Sequence, residues 1–148
     1  FNWLLNDLHE KKCLDMFAGT GALGLEALSR GADEVVFFEK QKVLCGAIEV
    51  VVKKLGINNK CRVINANSTA FDLTKLNTKF DLIFLDPPFH ESLIQKSLDI
   101  ISKNQLLTEK GLVYIECERD LDLGSLKTNL TQLKLSQGGE TKYCLYES

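Results

Sequence analysis

The sequence predicts a doubly wound α/β fold, a mostly parallel sheet finished by a C-terminal antiparallel hairpin. Short apolar runs alternate with amphipathic segments in strict turn, the order that a parallel sheet with crossover helices requires. One run, Phe80–Asp86, carries Leu82, Ile83, Phe84 and Leu85 in succession, a pattern that needs cover on both faces of a sheet. A glycine-rich loop stands between the first strand-like run and the first helix-like run.

Taken in order, Lys12–Phe17 reads as a buried strand, and Ala22–Arg30 as a helix closed by Gly31, which suits a left-handed cap. Glu34–Glu39, rich in Val and Phe, is the second strand. From Gln41 to Leu55 the residues Val43, Leu44, Ala47, Ile48, Val51, Val52 and Leu55 recur at helical spacing, and Gly56 follows as the stop. Arg62–Ile64 begins a short third strand, Phe80–Asp86 is the fourth and Gly111–Glu116 the fifth, with Glu91–Ser102 a helix before it. The stretches Gln132–Ser136 and Thr141–Tyr146, joined through Gly138–Gly139, read as the terminal hairpin.

A chain of 148 residues with 45% hydrophobic and 26% charged residues fits one globular domain and excludes disorder, collagen and coiled coil. No apolar run approaches the roughly 18 residues of a membrane span, so no membrane partner is expected. Five cysteines without a CxxC pair suggest reduced, buried thiols and a cytoplasmic chain. No His, Cys or carboxylate cluster has metal-ligand spacing, so no metal is expected. A net charge of -2 gives no basic field of the kind that grips phosphate backbones. The first residue is Phe1, which suggests a trimmed chain.

Ligands of open α/β sheets bind outside the carboxyl ends of the strands, which directs attention to the residues ending each strand. Gly19, Gly21 and Gly24 form GxGxxG between the first strand and first helix, where absent side chains admit a ligand to the backbone. Glu39, at the end of the next strand, is placed to accept hydrogen bonds from two ribose hydroxyls. That pair suits a dinucleotide or S-adenosylmethionine equally. The run Asp15-Met16-Phe17-Ala18-Gly19-Thr20-Gly21 puts an acid where a pyrophosphate would be repelled and an ammonium welcomed, which favours the methyl donor.

The only two prolines stand together in Asp86-Pro87-Pro88-Phe89. Two fixed φ angles and two missing N–H donors make a stiff loop whose carbonyls are free to face a ligand. A conjugated exocyclic amine is a poor nucleophile. If the Asp86 carboxylate and the Pro87 carbonyl each accept one N–H, the nitrogen is held with its lone pair aimed at a methyl group. Phe89 would stack on the ring bearing the amine.

The Asp-Pro-Pro-Phe stretch resembles the signature of amino-methyltransferases of the class I S-adenosylmethionine-dependent, Rossmann-like fold. The longer run from Cys13 through Gly19-Thr20-Gly21 to Ala32 resembles the RsmD family, as do Phe1-Asn2-Trp3-Leu4 and Tyr143-Cys144-Leu145-Tyr146. That resemblance implies methylation of a guanine N2 amine in 16S ribosomal RNA, free or in an assembling small subunit. The sequence leaves the oligomeric state open, a monomer being the expectation. The resemblance implies that Asp15, Phe17, Ala18, Gly19, Thr20 and Gly21 hold the methionine part of S-adenosyl-L-methionine and Glu39 its ribose. It further implies that Asn67 and Ser68 border the adenine, while Asp86 and Pro87, with Pro88 and Phe89, present the amine. It also implies a basic RNA-meeting segment upstream of Phe1. An Asp-Pro-Pro-aromatic loop serves adenine N6 in DNA and the glutamine side-chain amide as well. A dinucleotide-dependent oxidoreductase and a nonenzymatic binding module are the readings from other classes.

Overall fold

The computed structural model describes residue 3 and residues 8–148. Phe1, Asn2 and Leu4 of the resemblance above lie outside the described residues. Seven strands among the described residues form one sheet: β1 (Lys12–Asp15), β2 (Glu34–Phe38), β3 (Cys61–Ile64), β4 (Phe80–Leu85), β5 (Leu107–Glu118), β6 (Thr131–Gly138) and β7 (Thr141–Glu147). Their spatial order is β3-β2-β1-β4-β5-β7-β6. The first five pair in parallel, and β7 joins β5 and β6 antiparallel. The order reverses between β1 and β4, the switch point where open α/β sheets take ligands.

Three α-helices among the described residues cover the faces: α1 (Ala22–Ser29), α2 (Lys42–Lys54) and α3 (Leu93–Lys103). Ala27 of α1 with Ile48 and Val52 of α2 pack on Val35, Phe37, Leu82 and Phe84. Ile94, Leu98 and Ile101 of α3 pack on the other face, against Ile83, Leu85, Val113 and Ile115. Consecutive side chains of β4 therefore enter opposite cores, which is why Leu82 to Leu85 are all apolar.

Two elements depart from the sequence reading. In α2 only Cys45, Ile48 and Val52 are buried, while Val43, Val51 and Leu55 of the expected face are exposed. The helix lies over the β3 edge, a four-residue strand too short to cover a wide apolar arc. β5 begins four residues before the expected Gly111. Phe80 pairs with Leu107 but Leu82 with Leu112, so the residues between bulge out through Lys110 at φ 58°. All five cysteines are free thiols, four buried and Cys61 half-buried. No helix among the described residues is long and apolar enough to cross a membrane.

Candidate active site

A cavity of about 470 Å³ opens at the carboxyl ends of the parallel strands. Its size lies within the roughly 300–1,000 Å³ typical of small-ligand sites. Phe17 and Gly19 reach it from the loop after β1, Glu39 from the end of β2, Asn67 and Ser68 from the loop after β3, and Asp86 and Pro88 from the loop after β4. Separate sequence motifs thus meet on one wall, brought together by the switch in strand order.

Glu39 does more than the sequence suggested. Its Oε1 accepts the Gly19 amide at 3.1 Å and its Oε2 the Gln41 amide at 2.6 Å. One carboxylate therefore ties the glycine loop to the first turn of α2, where the helix dipole favours negative charge. Gly19 and Gly21 hold φ of 57° and 85°, the left-handed turn that lets the loop bend back to this carboxylate. A carboxylate offers about four lone-pair directions, so two remain for a ligand.

Asp15 is one layer deeper than the sequence suggested. It is 1% exposed and lies beneath the loop; Ala18, Gly21 and the exposed Thr20 are, like it, off the cavity wall. The Oδ1 of Asp15 accepts the Phe17 amide at 3.3 Å, and the Oδ2 is a buried oxygen with no hydrogen-bond partner among the described residues. Burial pushes the carboxyl up to about 7, with the Asp86 and Glu39 charges adding and the Phe17 and Gly24 amides opposing. A folded-state value raised above the unfolded one gives stability that is full below the unfolded value and lost as pH rises through the folded one. Asp15→Asn carries no proton to lose. Its melting temperature relative to the parent should therefore climb between about pH 4 and pH 7 and level off above, and a constant difference across that window would contradict the burial argument.

Asn67 and Ser68 are structurally distinct. Ser68 is buried and donates to the Met16 carbonyl at 2.6 Å, bracing the loop after β1 from below. Asn67 is exposed and folds its own turn, its Oδ1 accepting the Thr69 amide and hydroxyl at 3.0 and 2.8 Å.

The Asp86–Phe89 stretch divides between surfaces. Asp86 and Pro88 line the main cavity, whereas Pro87 is buried and, with Pro88, borders a neighbouring cavity of about 250 Å³. Phe89 is on neither wall; the residue is 37% exposed and its ring stands edge-on to His90 at 6.3 Å. Burial, and then the charge of Glu116, pushes the Asp86 carboxyl up to about 6. Among the described residues no group of three or more acidic, His or Cys side chains is placed to hold a metal.

Some wall residues were missed. Lys40, Gln41 and Leu44 follow Glu39 directly and line the cavity with it, while Glu91 and Leu93 close it from the start of α3. The signal for the first group is adjacency to the strand end. No motif marks the second, which depends on how α3 returns over the sheet.

The same architecture occurs in solved structures. A crystal structure from Haemophilus influenzae superposes with a TM-score of 0.87 at 38% identity, covering 99% of this chain and 92% of that one. An RNA methyltransferase from Salinibacter ruber, solved in complex with S-adenosyl-L-homocysteine, shares the fold with a TM-score of 0.74 at 16% identity, over 98% of this chain and 85% of that one. The ribosomal RNA small subunit methyltransferase D of Haemophilus influenzae is 38% identical over 100% of this chain and 77% of its own length. The family model described as Conserved hypothetical protein 95 matches residues 1–147. By both the family match and the similarity over the whole of this chain, it belongs to the ribosomal RNA small subunit methyltransferase D family.

Proposed function

We propose that the chain transfers a methyl group from S-adenosylmethionine to the exocyclic N2 amine of a guanine in 16S ribosomal RNA. The observation that carries this reading is the meeting of the Glu39-braced glycine loop and the Asp86 carboxylate on one cavity wall. Family membership and the names of the relatives support ribosomal RNA as the substrate.

The residues present fit the cofactor. The orphaned Oδ2 of Asp15 suits a cationic amino group nearby, and Glu39 keeps acceptor capacity for ribose hydroxyls beyond its two amide contacts. Asn67 and Ser68, both on the cavity wall, would border the adenine. When bound, the cofactor supplies an electrophilic methyl carbon on a sulfonium, which needs neither metal nor covalent enzyme intermediate.

The chain's own contribution is to hold the amine. Asp86 accepts one N–H and the Pro87 carbonyl the other, which fixes the nitrogen and aims its lone pair into the cavity. Positive charge developing on that nitrogen meets the Asp86 carboxylate, which can then take the proton or pass it to water. The base must leave its stack to reach this depth, and Phe89, already exposed, is available to stack on it.

The ionised form of Asp86 is the working one. With its carboxyl pushed up to about 6, kcat/KM should be level above that pH and fall about tenfold per unit below it. A rate that stays flat to pH 5 would remove Asp86 from the role of acceptor. The function itself is tested by mass spectrometry of 16S ribosomal RNA from cells with and without the gene. Loss of one N2-methylguanine, restored by the purified protein with S-adenosylmethionine, is the expected result; an unchanged modification profile overturns the reading.

A further inference from the structure

A second carboxylate stands beside Asp86 and has no task in the chemistry above. In the parallel pair β4 and β5, Phe84 lies opposite Tyr114 and Leu85 opposite Ile115, so the next step sets Asp86 alongside Glu116. The two side chains leave the sheet on one face, where the Phe84 and Tyr114 rings meet at 6.1 Å. Neighbouring strands are about 4.8 Å apart, a spacing that lets two carboxylates reach adjacent atoms of one base edge.

Glu116 is half-buried and oriented: its Oε1 accepts the Tyr114 hydroxyl at 3.0 Å, while no donor among the described residues meets Oε2. No ion pair among the described residues neutralises either acid. The closeness registers electrostatically, since the Glu116 charge is the second cause, after burial, that raises the Asp86 carboxyl. Two adjacent acceptors of like charge are unfavourable alone and favourable against a ligand edge with two adjacent donors.

That requirement separates the available amines. Adenine N6 stands next to the N1 acceptor, cytosine N4 next to the N3 acceptor, and a glutamine amide carries its own carbonyl. Guanine alone places its amine beside a second donor, N1–H. We propose that Glu116 is the specificity-determining residue of this site, its free oxygen accepting the guanine N1–H while Asp86 takes the N2 amine. This rests on the methyl-transfer reading above and deepens it.

The discriminating probe is 2-aminopurine, which keeps the N2 amine but carries an acceptor at N1. RNA with guanine or 2-aminopurine at the modified position is compared in kcat/KM for the parent chain and for Glu116→Gln. The parent should prefer guanine by about 10²–10⁴-fold, because its half-buried acceptor would face another acceptor in the analogue. The glutamine amide can rotate to accept or donate, so the preference should shrink at least about tenfold in the variant, with S-adenosylhomocysteine affinity unchanged. An unchanged preference overturns the role of Glu116 and leaves the methyl-transfer reading standing. Failure of the parent chain to modify guanine overturns both. Should the variant modify neither RNA, the ratio of their affinities by competition without turnover decides in the same way.

Discussion

Asp86→Asn is expected to lower methyl transfer by about 10³-fold or more while leaving S-adenosylhomocysteine affinity within about twofold. The substitution keeps the shape of the side chain but removes the charge that meets the developing cation and the site that takes the proton. Each of those effects is worth about 10²–10³-fold or more where it has been separated in other enzymes. Cofactor contacts should survive, because the Glu39 bonds to Gly19 and Gln41 and the Ser68 bond to Met16 do not involve Asp86. A further sign accompanies the loss. The raised Asp86 carboxyl means that folding disfavours its ionised form, so above about pH 6 the asparagine variant should melt no lower than the parent. Lost activity with retained or raised stability marks a group kept for chemistry rather than for the fold. Undiminished transfer sinks the role; equal loss of cofactor binding would make Asp86 a part of the cofactor site.

The sequence made the topology legible because its signals are local. Leu82 to Leu85 need two covered faces and so announce the centre of the sheet, and the glycine loop fixes which strand comes first. Depth and pairing are less legible. Asp15 belongs to the loop motif, yet its burial follows from Ser68 closing on Met16 from another element. Val43, Val51 and Leu55 share the apolar character of Ile48 and Val52, but whether they are covered depends on the extent of β3 beneath them. Glu116 is hidden for the same reason: within β5 it is one polar residue before Cys117, and only the register with β4 places it beside Asp86. What a motif carries along the chain can be read from it; what two strands create between them depends on a register that bulges such as that at Lys110 displace.

Gly24→Ala should be the most damaging single-methyl change in the glycine loop region, and Gly46→Ala should be its opposite. A Cβ at Gly24 would land against the edge of the Phe37 ring, 2.8 Å from Cζ, and 3.0 Å from Val35 Cγ1. Phe37 and Val35 are both 0% exposed, and Phe37 lies in a core closed by Ile48 and Val52, so neither can move aside cheaply. Overpacking of this kind costs about 1–3 kcal/mol even after a helix-propensity gain, or roughly 3–10 °C in a chain of this size. Gly46 lies inside α2, is exposed, and has nothing within 4 Å of an added Cβ. There the same methyl only restricts the unfolded chain and favours the helix, a gain of about 0.5–1 kcal/mol. The pair separates packing from propensity. The Gly24 effect should also reach the ligand, because pushing α1 off β2 strains the Gly19–Glu39 bond that shapes the cavity. Thermal melts with and without S-adenosylhomocysteine therefore ought to show Gly24→Ala losing both stability and ligand-induced stabilisation. Gly46→Ala should gain the first and keep the second. Equal behaviour of the two variants would mean that the third glycine of the loop is tolerated for its flexibility rather than required for the contact between α1 and β2.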